Sequence, residues 1–364
     1  MEKDFDIIVI GAGVVGLSIA CQLSKKYSVG LVEKNKRYGL ETSSRNSEVI
    51  HSGIHYPTGS LKAKLCVQGN QLLYEFLKEN NILHKKTGKL TVAVEQSEVK
   101  EIEKLYKQGI ENGVSDIKII EKNEIKNFAP EIEGLYALYT GSTGILNVHY
   151  LMDCLYEKLI NNGGIAGFDE KVINLEKKNG VYLVETEKGR YYSEIVINSA
   201  GLYGDEISRK LGFNYDVFWA KGDYFTISKK CNIPLLIYPV PAKEGLGIHL
   251  TPRFDGILRA GPDVEYVQKV YPPYPDEKGN SIFKPDEKKR GFFYQQIKKF
   301  IPDIEIDDLV PESYGIRPKL QKQGEDFKDF IIKEELPNFI NLIGIDSPGL
   351  TSCLAIARYV EDLL

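Results

Sequence analysis

The chain has 364 residues, of which 42% are hydrophobic and 27% charged, with a formal net charge of −4. That length can bury one large core or two interleaved ones, and the near balance of charge excludes a basic face for general nucleic-acid binding. The cysteines, Cys21, Cys66, Cys154, Cys231 and Cys353, form no C-x-x-C pair, which favours scattered thiols in a reducing compartment over a disulfide framework.

Ile7 to Ser24 carries no charged residue and has the length of a membrane span. Gly11, Gly13 and Gly16 interrupt it, a β-branched half precedes a helical half, and the preceding MEKDFD lacks the basic start of a signal peptide. The expected structure is a strand over Phe5–Ile10, a glycine turn and a helix from about Val14. No other segment is long and apolar enough to span a bilayer, so no integral membrane segment is predicted. In GAGVVG, Gly11 allows the turn, Gly13 lets the backbone approach a pyrophosphate, and Gly16 lets helix pack on strand. The N–H groups at Val14 and Val15 would then face the phosphates. A second strand, VGLVEK, ends at Glu33 and Lys34, about 20 residues further on, where a carboxylate accepts from a ribose diol and disfavours a 2′-phosphate, and with it NADP.

An NAD enzyme would continue with alternating strands and helices. This chain instead enters TSSRNSEVIHSG, whose Thr42, Ser43, Asn46, Ser47 and Val49 suit a grip along an elongated FAD. His51 and His55 follow. Their spacing suits a metal only on a helix; the SGIHYPTG context opposes a helix, and no third ligand stands at a recognisable spacing, so no metal is predicted.

A helix is expected from Ser60, as N-cap, to about Asn80. TGKLTVAV alternates as a strand, and Ser97–Gly113 reads as a charged, solvated helix. YLMDCLYEKLINNGG is an amphipathic helix closed by glycine, followed by a β-meander with NG and KG turns that ends in INSAG. Residues 213–317 are strand-like, aromatic and punctuated by proline. FINLIGIDSPGLTSCLAIARYVEDLL closes the chain as strand, glycine turn and helix. The fold class is α/β (α+β overall): a Rossmann-like FAD-binding domain of residues 1–84, 141–212 and 318–364, with an interleaved mixed-sheet substrate domain of residues 85–140 and 213–317.

The chain resembles the flavoprotein superfamily of glycine oxidase, D-amino acid oxidase and glycerol-3-phosphate oxidase, and within it the L-2-hydroxyglutarate dehydrogenase/oxidase family. The resemblance runs nearly end to end. It is carried by GAGVVG with Glu33, NSEVIHSGIHYPTGSLKAKLCVQGN, TGKLTVA, INSAGLYGD, KGDYF, LIYPVPAKEGLGIHLTPRFDG, RAGP, YGIRPKL and GIDSPGLTSCLAIA. The C-terminal segment is as much like the glycerol-3-phosphate oxidase type, and the stretch from about Val264 to Pro311 is short.

What the resemblance implies is an FAD-dependent enzyme that oxidises a CH–OH group of a small anionic substrate, with L-2-hydroxyglutarate first and 2-oxoglutarate as its product. FAD would be non-covalent, since no cysteine or histidine is placed to bond it. The resemblance puts Val172, Ala200 and Gly201 beside the adenine half, and His51 beside the isoalloxazine ring. Moving a hydride to flavin N5 requires a base for the hydroxyl proton, and a neutral imidazole suits that task. His249 is a second base or a substrate hydrogen bond; a purely structural sheet histidine is the alternative. Arg317 resembles the arginine that clamps a substrate carboxylate, a bidentate match that lysine lacks. Lys221 and Tyr238 are candidates for a second anionic group. Gly349, Leu350 and Thr351 would offer helix N–H groups to the flavin N1–C2=O edge.

Glycerol-3-phosphate oxidase and a glycine oxidase-like amine oxidase stand as alternatives, as does a flavin-binding protein without catalysis. The residues do not choose among oxygen, a quinone or another carrier as electron acceptor. The expected location is the cytoplasm, and a peripheral position at the inner face of the membrane is compatible with it.

Overall fold

A computed structural model describes residues 3–241, 247–275, 279 and 281–364; residues 242–246 of the LIYPVPAKEGLGIHLTPRFDG motif lie outside the described residues. Two large sheets organise the chain. The first has eight strands around a parallel centre, in which Ile165–Phe168, Val29–Glu33, Phe5–Ile10, Arg190–Asn198 and Phe339–Ile343 are successive neighbours. Phe5–Ile10 is buried on both faces, as a central parallel strand requires. Ile7 and Val9 face the helices Val14–Leu23, Leu61–Glu79, Val148–Asn161 and Gly349–Glu361. Ile8 and Ile10 face the hairpin Val172–Lys178/Val181–Thr186 and the short helix Gly204–Lys210. The uncharged stretch after Ile7 is thus strand, turn and buried helix. No helix among the described residues is long and apolar enough to cross a membrane.

The local signals act as their chemistry predicts. The Ser60 side chain accepts from Ala63 N–H at the start of its helix. In the meander, Asn179 and Gly180 take the positive φ values of a tight hairpin turn.

The second sheet has nine strands. Its spine is the long antiparallel pair Phe218–Ile227 and Leu309–Lys319, and its far side carries Lys89–Ala93 parallel to Leu236–Pro239. One region departs from expectation. Within the strand-like 213–317 stretch, Arg290–Lys298 is a helix, because RGFFYQQIK spaces Phe293 and Ile297 four apart and buries both against the sheet. A small third sheet joins Val49–Ile50, Gly144–Leu146 and His84–Lys85, and from its end the chain emerges at His51. We propose the domain division given above, with the eight-stranded sheet as the cofactor layer and the nine-stranded sheet as the substrate layer.

Candidate active site

A cavity of about 640 Å3 runs from the glycine turn to the nine-stranded sheet. Its size falls in the range of roughly 300–1,000 Å3 usual for ligand sites. At one end Glu33, buried at the tip of its strand, accepts from Ala12 N–H at 2.8 Å and from Asn35 N–H at 2.9 Å. Burial pushes its carboxyl above the usual range, against those two backbone donors. Gly11 has φ +98, and a Cβ there would come within 2.7 Å of the Ser199 carbonyl oxygen. A Cβ on Gly13 would stand 2.9 Å from Ser43 Oγ, which itself accepts from Val14 N–H at 2.9 Å. The turn is therefore a cradle open only to backbone, and the first helical N–H already points at an oxygen acceptor.

Gly11, Gly13, Val14, Val15, Glu33, Lys34, Thr42, Ser43, Asn46, Ser47, Val49, Val172, Ala200, Gly201, Gly349 and Leu350 all line this cavity. Gly16 and Thr351, expected as cofactor contacts, stand behind the wall. A Cβ on Gly16 would overlap the Gly11 carbonyl oxygen at 1.9 Å, so its place is the helix–strand contact. Buried Thr351 accepts from His51 N–H at 2.9 Å and donates to Val49 O at 3.3 Å, so it fixes the His51 backbone to the final helix. The loop is fastened elsewhere too. Thr42 Oγ1 donates to Ile316 O at 3.0 Å, Asn46 Nδ2 to Ser43 O at 2.7 Å, and Arg259 Nη1 to Asn46 O at 3.1 Å.

At the other end of the cavity stand His51, Tyr238, His249 and Arg317. His51 has Nε2 3.3 Å from Ser347 Oγ, while Nδ1 is buried without a hydrogen-bond partner. Ser347 Oγ continues to Tyr56 OH at 3.1 Å. Burial, reinforced by Lys89 and His249, pulls the His51 imidazole down to about 3. Burial also holds His249 at about 3. Its ring lies on Tyr238, with centroids 4.1 Å apart and planes 16° apart. Arg317 donates from Nη2 to the Asp263 carbonyl at 2.6 Å, and no carboxylate among the described residues pairs with it. Its charge is anchored by backbone and left open to the cavity.

Lys221 does not reach the cavity. Its ammonium is buried between the two carboxylate oxygens of Asp223, at 2.5 and 2.6 Å, and is spent there. His55 also stands behind the wall, with Nε2 2.9 Å from Lys89 Nζ. No group of three or more potential metal ligands occurs among the described residues.

Sequence reasoning missed two clusters. Asp346 lines the cavity beside the final helix, and its buried carboxylate receives Lys62 Nζ at 2.8 Å and Lys319 Nζ at 3.0 Å. Burial alone would raise that carboxyl, but the two lysines outweigh it and hold it below its ordinary value. Two ammonium groups on one carboxylate leave a positive charge beside the helix start. The second cluster is Lys89 with His55. Only the recurrence of Lys62, Lys89 and Lys319 inside otherwise apolar motifs could have signalled either.

The cradle, the terminal carboxylate and a helix start at the far wall fit an elongated dinucleotide with a redox end. Comparison with known proteins agrees. The model of the FAD dependent oxidoreductase family, DAO, matches residues 6–363. The mitochondrial L-2-hydroxyglutarate dehydrogenase of Arabidopsis thaliana is 36% identical, over 99% of this chain and 83% of its own length. The glycerol 3-phosphate dehydrogenase of Caloramator mitchellensis is 33% identical over 99% and 74%. The dithionite-reduced, FAD-bound L-α-glycerophosphate oxidase of Mycoplasma pneumoniae superposes with a TM-score of 0.88 at 26% identity, covering 100% of this chain and 95% of its own. The chain belongs to the FAD dependent oxidoreductase family and is an FAD-dependent dehydrogenase or oxidase acting on a CH–OH group.

Proposed function

We propose that the protein oxidises L-2-hydroxyglutarate to 2-oxoglutarate. The observation that carries this reading is one cavity lined both by a buried imidazole, His51, and by a guanidinium, Arg317, with which no carboxylate among the described residues pairs. Arg317 receives the substrate carboxylate as a fork, which orients the neighbouring carbinol carbon. His51 takes the hydroxyl proton. Its free-enzyme value of about 3 keeps it deprotonated at working pH. An anionic substrate beside it raises that value and makes proton transfer less uphill. When bound, FAD supplies the hydride acceptor at N5.

Glu33 would hold the ribose diol, Val14 and Val15 the pyrophosphate, and Gly349 and Leu350 the flavin edge. The positive charge that Lys62 and Lys319 leave on Asp346 suits the electron-rich reduced ring. The relatives named L-2-hydroxyglutarate dehydrogenase support the substrate. The 33% identical glycerol 3-phosphate dehydrogenase keeps a second substrate in view, with the same carbinol chemistry and a phosphate in place of one carboxylate. A cytoplasmic enzyme passing electrons to oxygen, a quinone or another carrier completes the reading.

The test is a His51→Gln variant. It should retain yellow, FAD-loaded protein, while its anaerobic flavin reduction by L-2-hydroxyglutarate slows by about 10²–10⁴. An unchanged reduction rate would remove His51 from the chemistry.

A further inference from the structure

Lys89 is an unusual residue to find where it is. It opens the strand Lys89–Ala93, is 0% exposed, and pairs with no carboxylate among the described residues. Its Nζ has two neighbours of note: His55 Nε2 at 2.9 Å and the face of Tyr238, 4.8 Å from the ring centroid. Two imidazole rings stack against Tyr238, that of His55 at 6.0 Å and 14° and that of the cavity-lining His249 at 4.1 Å and 16°. The hydroxyl of Tyr238 and Nδ1 of His55 are both buried without hydrogen-bond partners. Among the described residues, the titratable groups around Lys89 are His51 and His55 from the loop, Cys66 from the helix Leu61–Glu79, Tyr238 from the strand Leu236–Pro239, and His249. None is an acid ionised at neutral pH.

A buried ammonium without a counter-ion is costly, and proteins normally pair it or neutralise it. Here no carboxylate among the described residues offsets it, and it stands close enough to His51 and His249 to depress both. A bound anion can supply the negative charge that no described side chain gives it.

We propose that Lys89 and His55 together hold one proton behind Tyr238, and that this charge is the counter-charge for the distal anionic group of a dianionic substrate. Lys89 is then a specificity-determining, positioning residue that acts through Tyr238 and His55 without lining the cavity. This deepens the dicarboxylate reading and rests on it. Lys89 is pulled down to about 7 by burial, so the empty site is only partly charged near neutrality. Binding of a dianion draws the remaining fraction of a proton from solvent onto the pair. No other bond is made or broken. Affinity for the dianion falls as pH rises above about 7, by up to tenfold per pH unit, because only the protonated pair attracts it.

The experiment uses FAD-loaded wild type, Lys89→Met and His55→Gln. Binding of 2-oxoglutarate is compared with 2-oxopentanoate, which has the same chain length without the second carboxylate, by perturbation of the flavin spectrum between pH 6.5 and 9. Wild type should prefer 2-oxoglutarate. Lys89→Met should lose roughly 10- to 100-fold in affinity for it, keep its affinity for 2-oxopentanoate, and show a flat pH profile. Calorimetry in buffers of different ionisation enthalpy should show proton uptake with 2-oxoglutarate in wild type and none in Lys89→Met. If Lys89→Met does not hold FAD, His55→Gln decides, with the same loss of preference in smaller degree. An unchanged preference and pH profile in the variants would overturn the proposal. If wild-type flavin is reduced by glycerol 3-phosphate and not by L-2-hydroxyglutarate, the dicarboxylate reading fails separately. Lys89 is then judged by glycerol 3-phosphate against 1,2-propanediol in the same variants. A wild type that prefers no dianion of either kind overturns both.

Discussion

At the scale of single residues, the site is governed by burial. His51, His55 and His249 are enclosed, and each is held well below the ordinary histidine value, first by desolvation. The sign of the consequence for stability follows from proton counting. Below about pH 6.5 the unfolded chain protonates these rings, whereas the folded chain protonates His51 and His249 only near pH 3 and holds His55 well below its ordinary value. Stability is therefore fully present above pH 6.5 and falls as pH drops towards 3, by about 1.4 kcal/mol per pH unit for each of His51 and His249, with His55 acting in the same direction. Urea midpoints at pH 7.5, 6 and 5 should decline, and His249→Gln should lessen the slope. An identical slope in that variant would show that His249 titrates normally in the fold. What the sequence shows at this scale is residue type and motif. His51 and Arg317 were legible because each sits in a distinctive segment. Lys89 was not, because GKLTVA reads as an ordinary strand, and nothing local says that its first side chain turns inward to meet His55. Lys221 failed for the converse reason: its Asp223 partner sits two residues on, on the same face of the strand, and neutralises it.

At the scale of elements, packing sets the geometry that the residues use. The helix Leu61–Glu79 carries Asn70, whose Nδ2 donates to the His51 carbonyl at 2.9 Å, and the final helix Gly349–Glu361 carries Thr351, whose Oγ1 accepts from the N–H of the same residue at 2.9 Å. The two helices meet at Gly69, where a Cβ would lie 2.4 Å from the Thr351 carbonyl oxygen and 2.7 Å from the Ser352 Cα. That contact is backbone to backbone and cannot yield by a rotamer change. Gly69→Ala should cost about 1–3 kcal/mol of stability by overpacking, and should weaken FAD retention by shifting the Gly349 helix start. Urea denaturation and the flavin content of the purified protein check it; wild-type values for both would mean that the helices separate freely. Most elements were legible from caps, glycine turns and periodicity, as at Ser60 and the NG hairpin. The helix Arg290–Lys298 was not, because aromatic residues and flanking prolines gave it the composition of its strand-rich surroundings, and its tertiary seat on the second sheet decided the matter.

At the scale of the whole molecule, the cavity exists because the chain threads two sheets alternately. The glycine cradle and final helix come from the eight-stranded layer, while Tyr238, His249 and Arg317 come from the nine-stranded one. His51 emerges between them. No single segment holds both a cofactor grip and a substrate grip, so local pattern could point to the cofactor more firmly than to the substrate. The account's central claim is that this cavity oxidises the carbinol of L-2-hydroxyglutarate. Its most direct test is anaerobic mixing of the FAD-loaded protein with L-2-hydroxyglutarate, D-2-hydroxyglutarate, L-lactate, glycerol 3-phosphate and glycine, followed by the visible flavin absorbance. Rapid bleaching by L-2-hydroxyglutarate alone is the predicted result; bleaching by glycerol 3-phosphate or glycine in its place, or by none of the five, would contradict it.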